Sequence, residues 1–357
     1  MANLTQMAIT TKKLLKWYTE NGRKLPWRIS PRDAALGQVP DPYKIWISEI
    51  MLQQTTVNTA IPYFKKFLKK WSCINSLSRA NENDILAFWA GLGYYARARN
   101  LLKCAKELND KLGGKIPNDK KILLELPGIG EYTASAIRAI AFGESEVVID
   151  ANIERVICRL FKIEKPINQS KIEIKKYASQ LFPKYHSGDF AQALMDFANA
   201  VCKSKKPDCK HCIISNSCLS LKHNVVETIP IKPMKKNKLL KKGYVFFTKI
   251  KPNKFLLERR PSEGILGGLL GFPSTKWAVE KNVPTVPFEA NWTFTNKLVV
   301  HQFTHFKLEL EIVTAEVENP KFDSSKYLEI ESENFDLMTL PTLMRKVYSQ
   351  AIKLYDY

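Results

Sequence analysis

A change of rhythm near residue 230 divides the chain and limits what it can fold into. Before it, apolar residues recur at three- and four-residue spacing through 14–18, 61–67, 85–89, 101–108, 122–126 and 134–142, the period of helices that bury one face. Ser72, residues 81–83, the Gly91/Gly93 pair and residues 113–117 interrupt that pattern, as short polar or Gly/Pro breaks do between helices. Beyond it the period falls to two, in residues 243–250, 254–260 and 306–312, which predicts strands. A closing helix is expected over 342–354. The stretch between the two textures, IPIKPMKKNKLLKK at 229–242, is rich in Pro and Lys and reads as a linker. The fold expected is a mainly α N-terminal two-thirds followed by an α+β domain. No window approaches the ~18 uninterrupted apolar residues of a membrane span, and the N-terminus lacks the apolar core of a secretory signal.

Charge narrows the partner. The 357 residues hold 55 Lys+Arg against 35 Asp+Glu, a formal net charge of +20. Residues 1–225 carry +15 of it and residues 226–357 only +5. A field of that size on one region points to a polyanion, with nucleic acid the first candidate. Charge kept only for solubility is the competing reading.

Four of the seven cysteines fall in one short stretch, Cys202, Cys209, Cys212 and Cys218, spaced C-x6-C-x2-C-x5-C. Without a secretory signal disulfides are disfavoured and a metal site is the better reading. Zinc sites usually pair two C-x2-C knuckles, and here there is one. Four thiolates at uneven gaps suit a cubane iron–sulfur (4Fe-4S) cluster, one Cys per iron. Lys203, Lys205, Lys206, Lys210 and His211 share the stretch, so the stapled loop would present positive charge to phosphates. Cys73, Cys104 and Cys158 stand alone and read as core residues.

Residues 126–130, LPGIG, separate two helical patterns. Gly128 and Gly130 would let the backbone approach a phosphate, with amides directed at it from the N-terminus of the second helix. By itself this reads equally well as an ordinary helix–helix corner.

Two carboxylates stand in unusual company. Residues 45–52, IWISEIML, are apolar all round the helix except Ser48 and Glu49. A carboxyl there is costly unless paired, neutral or facing a pocket, and desolvation raises its pKa toward the range of a general acid. Asp150 ends the apolar run 147–149 and precedes another helix. It is either an ordinary N-cap or an aspartate kept ionised by amides and a dipole. An acid with an ionised carboxylate is the pairing that cleaves a glycosidic bond.

Together the hairpin, an Asp 20 residues past its last Gly, and the four-cysteine loop resemble the helix-hairpin-helix DNA glycosylase superfamily. Within it, LPWR at 25–28, DPYKIWISEIMLQQT at 41–55, GLGYYARARN at 91–100, DANIER at 150–155 and QALMD at 192–196 resemble the adenine DNA glycosylases of the MutY type, over nearly the whole chain. The resemblance implies a cluster-bearing helical domain at 1–30 with 142–224, a six-helix domain at 31–141 and a linker at 225–242. It further implies a Nudix-like 8-oxoguanine recognition domain at 243–357.

By position, Glu49 is similar to the acid that protonates adenine N7, and Asp150 to the carboxylate that stabilises the sugar cation. Tyr132 and Asn152 match residues that hold the Asp and the attacking groups. Arg28 and Gln192 stand where the family contacts adenine. Leu52, Gln54 and Tyr94 match the wedge that fills the gap left by an extruded base, as base chemistry in a duplex requires. The endonuclease III branch resembles this chain up to the position two past the hairpin, where it carries a nucleophilic lysine. Here that residue is Tyr132, so the resemblance implies a monofunctional glycosylase.

Residues 256–273, LLERRPSEGILGGLLGFP, resemble the start of a Nudix-like domain, but STKWAVEKNVP follows in place of a magnesium-binding acidic helix. Recognition is the role left. Phe303, Thr304 and His305 stand where the family senses 8-oxoguanine, with Thr at a position often held by Ser. The chain departs from the family in a longer link at 29–40 and in D-A-N at 150–152 where D-G-N is usual. The implied partner is duplex DNA with an A:8-oxoguanine or A:G mismatch, bound by a monomer without membrane attachment. Such a protein is not secreted and, in a bacterium, is cytoplasmic and nucleoid-associated. The alternatives are an oxidised-pyrimidine glycosylase and a non-catalytic iron–sulfur DNA-binding protein. Tyr132 and the second domain argue against the first, and the two costly carboxylates against the second.

Overall fold

The computed structural model describes residues 4–233, 238–261, 264–280 and 283–355. The chain falls into two compact units, Met1–Ala80 with Asn100–Met234, and Asn81–Arg99 with Lys235–Tyr357.

The first unit is helical. The helix Ser187–Ala200 packs on Leu4–Asn21, on Ala151–Phe161 and on Glu131–Phe142, and the last of these also packs on Pro42–Leu52. Side-chain caps start two of these, at Asp41 and Asp150. Asp41 accepts from the amides of Tyr43 and Lys44, and Pro42 follows it, a favourable opening for a helix. Trp46, Ile47, Ile50 and Met51 are buried on different sides of the Pro42–Leu52 helix, which leaves Glu49 no exposed face to occupy. Gly188 permits the closest helix approach: a Cβ there would lie 2.3 Å from the Ala139 carbonyl oxygen. Gln192, one turn further along, lines the same cleft as Tyr132 and Ile140 of the hairpin's second helix.

The second unit is built on six strands: β1 (Leu239–Ile250), β2 (Lys254–Arg259), β3 (Leu270–Gly271), β4 (Thr293–Gln302), β5 (Phe306–Val317) and β6 (Tyr327–Glu331). Their order is β3-β2-β1-β5-β4, with β6 also paired to β2. β1 and β5 run parallel and the other pairs antiparallel. Alternation sorts the two faces as a strand must: Val245, Phe247, Phe255 and Leu257 face a core with Leu343, Met344 and Val347 of the helix Thr342–Ile352, while Ile250 and Leu256 join Phe288 and Tyr327.

The expected strands and closing helix are present. The linker expected over 225–242 ends early, because Leu239–Lys242 already pair with Phe306–Glu309 in the sheet; residues 234–237 of that stretch lie outside the described residues. β4 and β6 had no sequence signal. In β4 only Val299 is buried, and a bulge breaks its register between Phe294 and Leu298, so an edge strand with both faces wet shows no alternation. Residues 81–99 group with the sheet unit, to which Arg99 Nη1 donates a 2.5 Å hydrogen bond at the Gly267 carbonyl.

Candidate active site

The helical unit opens a cleft of about 630 Å³ lined by Arg28, Glu49, Leu52, Gln54, Tyr132, Asp150, Asn152 and Gln192. Eight residues expected from separate sequence motifs thus meet around one space. Glu49 is 6 % exposed. Burial, the largest influence, pushes its carboxyl up to about 7, with Asp150 adding to the rise while the Tyr132 hydrogen bond and Arg28 oppose it. The Tyr132 hydroxyl donates to Glu49 Oε2 at 2.7 Å. The tyrosine therefore holds the glutamate, where the sequence pointed to the aspartate. Burial raises the Tyr132 phenol well above its ordinary value, so it remains a donor.

Asp150 caps the helix Ala151–Phe161. Its Oδ1 accepts from the Ile153 amide at 2.7 Å and its Oδ2 from Asn152 Nδ2 at 2.7 Å. Burial raises its pKa above the usual aspartate value, and those donors pull it back. The expected stabilisation by amides is present, but desolvation outweighs it. Ala151 opens the helix with no left-handed backbone, so the D-A-N sequence costs the cap nothing. Asn152 Oδ1 accepts in turn from Arg155 Nη2 at 3.2 Å, and Arg155 reaches the carbonyls of Ala198 and Cys202.

The hairpin runs from the helix Lys120–Glu125 to Glu131–Phe142. Gly128 has φ +80° and a Cβ there would meet Asn100 Cβ at 2.9 Å; the fold itself requires glycine at this position. Gly130 has φ −102°, and a Cβ there would meet nothing within 4 Å. The longer link at 29–40 holds a short helix, Pro31–Ala35, capped by Ser30, and still leaves Arg28 on the cleft.

Cys202, Cys209, Cys212 and Cys218 line one small cavity with Val156, Leu160, Phe197, Ile214 and Leu221. Arg159, 1 % exposed, directs Nη1 to the Cys202 sulfur at 3.4 Å and to the Lys203 carbonyl at 2.6 Å. Among the described residues no three His, Cys, Asp or Glu converge as a single ion would need.

Tyr94, Phe303, Thr304 and His305 belong to the other unit. Tyr94 is 49 % exposed with φ +49°, and its hydroxyl lies 2.7 Å from Thr304 Oγ1. Thr304 and His305 are exposed and Phe303 half-buried. Sequence reasoning passed over Arg23 and gave no role to Gln53 and Arg155, which its motifs contain. It quoted Asp196 without giving it a role, although an acid in the otherwise apolar run LMDFA carried the same signal that marked Glu49.

The adenine DNA glycosylase of Buchnera aphidicola subsp. Baizongia pistaciae is 41 % identical over 263 residues, 73 % of this chain and 72 % of that one. The chain belongs to the adenine DNA glycosylase family. The human adenine DNA glycosylase is 30 % identical over 398 aligned positions, covering 94 % of this chain and 72 % of its own. Residues 47–184 match the family described as HhH-GPD superfamily base excision DNA repair protein, and residues 244–350 match the NUDIX domain. The helical region is also similar to a solved thermostable thymine-DNA glycosylase, with TM-score 0.55 and 30 % identity over 61 % of this chain and 98 % of that one. The two units are thus a helix-hairpin-helix glycosylase fold and a Nudix fold. No helix among the described residues is long and apolar enough to cross a membrane.

Proposed function

We propose that this adenine DNA glycosylase family member hydrolyses the N-glycosidic bond of adenine mispaired with 8-oxoguanine or guanine, without strong β-lyase activity. The observation that carries the reading is the pairing of Glu49 and Asp150 in one cleft under different constraints. One carboxyl is held by the Tyr132 phenol and the other by an amide and an asparagine, so the two are anchored differently and can take different roles. Glu49, raised to about 7 by burial, keeps a protonated fraction near neutral pH and gives its proton to N7 of the extruded adenine, with Tyr132 fixing its orientation. Asp150, anchored by Ile153 and Asn152, stabilises the cationic sugar as the base leaves, and water completes the hydrolysis. Arg28 and Gln192 on the cleft wall contact the adenine, while Leu52, Gln54 and Tyr94 fill the space it vacates. Tyr132 stands where the endonuclease III branch carries its lysine and donates to Glu49, which supports a monofunctional enzyme.

On this reading Gly128 and Gly130 set backbone amides against a DNA phosphate, and the open space beyond Gly130 is where that phosphate lies. Phe303, Thr304 and His305 read the base opposite the adenine. The four cysteines hold a 4Fe-4S cluster: the four thiols line one small cavity, and their uneven spacing suits one Cys per iron. When bound, the cluster supplies a rigid clasp for the Lys-rich loop. On the same reading the helical region comprises a cluster-bearing part, 1–30 with 142–224, and a hairpin-bearing part, 31–141. The enzyme acts as a monomer wherever genomic DNA lies, which in a bacterium is the cytoplasmic nucleoid.

The test uses the purified protein with duplexes bearing A opposite 8-oxoguanine, A opposite guanine, thymine glycol, or normal pairs. Free adenine is expected from the two mismatches, with strand scission only after alkali. Cleavage at thymine glycol without alkali would overturn the proposal.

A further inference from the structure

A buried carboxylate outside the proposed chemistry holds two arginines that border the cleft. Asp196 sits in the helix Ser187–Ala200 and is 2 % exposed. Its Oδ1 accepts from Arg23 Nε at 2.6 Å, and its Oδ2 accepts from the Arg23 amide and from Arg28 Nη1, each at 2.8 Å. A buried carboxylate is tolerable when paired and fully hydrogen-bonded, and this one is. The two arginines are not equivalent. Both border the cleft that holds Glu49, but the Arg23 side chain keeps 35 % of its surface whereas that of Arg28 keeps 7 %, and it is Arg28 whose charge acts on Glu49.

Arg28 presents a difficulty for the chemistry. A guanidinium beside an acid favours the ionised carboxylate, and Arg28 acts on Glu49 in that sense. A proton donor needs the reverse. We propose that Asp196 is a positioning residue for Arg28, fixing its guanidinium on the cleft wall and screening Glu49 from its charge. The inference rests on Glu49 being the acid of the proposed reaction.

The charged and titratable groups around the pair are few. Glu49 faces Tyr132 from the hairpin's second helix, Asp150 from the N-cap of Ala151–Phe161, and Arg28 from the segment after the first helix. Asp196 faces Arg23 and Arg28, and both it and Asp189 act on Tyr18, whose phenol burial pushes up to about 12. Tyr18 therefore stays neutral near pH 7 and leaves Asp196 as the compensating charge. Removing that charge exposes Glu49 to Arg28 and makes it ionise at lower pH. Removing Arg28 does the opposite.

The experiment is the pH dependence of single-turnover adenine release from an A:8-oxoguanine duplex, with the full-length protein. Wild type is expected to lose activity as pH rises through about 7. Asp196→Asn should lose it about one pH unit lower, Asp196→Glu should return toward wild type, and Arg28→Met, though slower, should lose it at higher pH. A purely structural Asp196 would lower rates or stability without moving this limb. If Asp196→Asn does not fold by circular dichroism, Arg28→Met decides: a limb left at the wild-type pH overturns the inference. Should wild type lack the limb, or Glu49→Gln keep activity, the acid assignment fails and this inference with it. A limb that depends on Glu49 but is unmoved in both other variants overturns only the role of Asp196.

Discussion

The cleft of the helical unit and the 303–305 loop of the sheet unit are assigned to the same lesion, yet their residues live under opposite conditions. Glu49 is 6 % exposed and bonded to Tyr132, and Asp150 is fixed by an amide and an asparagine. Thr304 and His305 are exposed, and the Thr304 hydroxyl meets that of Tyr94, itself 49 % exposed. Bond cleavage needs desolvated carboxyls held in place before substrate arrives, because the field they exert is worth most where water is excluded. Reading an opposite base needs only a hydrogen bond that forms with the DNA. The first task leaves polar groups where polar groups are expensive; the second leaves ordinary surface residues.

Breaking the cleft side of that contrast should have the largest effect. Glu49→Gln is expected to slow adenine release by about 10²–10⁴-fold, the usual worth of a general acid, while duplex binding measured by gel shift is kept. The same variant should be more stable than wild type at alkaline pH. The folded carboxyl has its pKa raised from 4.5 to about 7, so its contribution to stability is fully present below the unfolded value and is lost as pH rises through about 7. By pH 8 that loss is about 3 kcal/mol. Thermal melts of the two proteins should therefore diverge between pH 5 and pH 8 on the order of that figure and converge in acid. Equal melting at pH 8 would mean that Glu49 is not a strained, desolvated acid.

Asp150→Asn separates the cap from the charge. Asparagine caps helices about as well as aspartate, so melting should change little, while adenine release falls by about 10²–10³-fold as the developing cation loses its counter-charge. A large loss of stability with the activity loss would restore the plain N-cap reading.

The hairpin lies between the two extremes. Gly130→Ala meets open space, so it should melt like wild type yet bind every duplex about tenfold more weakly, the cost of roughly one amide–phosphate hydrogen bond. Gly128→Ala is strained at φ +80° and crowded by Asn100, and should lose about 1–3 kcal/mol of stability. If Gly130→Ala binds normally, the hairpin is a corner and not a phosphate seat.

What could be read from the sequence follows from the same contrast. Glu49 was visible because residues 45–52 offer it no polar neighbour but Ser48, and the cysteines because their spacing has few other uses. β1, β2 and β5 were visible because each carries several buried apolar residues, in β1 and β2 shared between two clusters. β4 was not, since its residues are mostly wet on both sides. The partner of Tyr132 was misplaced because a turn sequence fixes where a tyrosine starts but not which of two carboxyls, on helices 83 and 18 residues away in the chain, its hydroxyl reaches. Thr304 was legible only through resemblance, for an exposed FTH carries no physical conflict of its own.

Thr304 is therefore the place where the smallest effect tests the contrast most sharply. Thr304→Val keeps the shape and removes the hydroxyl; Thr304→Ser keeps the hydroxyl and removes the methyl. If the loop reads the opposite base by one hydrogen bond, the valine variant should lose about fivefold to tenfold of its preference for A:8-oxoguanine over A:G in kcat/KM, close to 1 kcal/mol. The serine variant should keep that preference. Neither should change melting or the rate of the chemical step, since an exposed side chain contributes little to either. A valine variant that discriminates like wild type would move recognition off this loop. One that slows base release on all duplexes alike would tie Thr304 to chemistry, and the division between a buried cleft that cuts and an exposed loop that reads would fail.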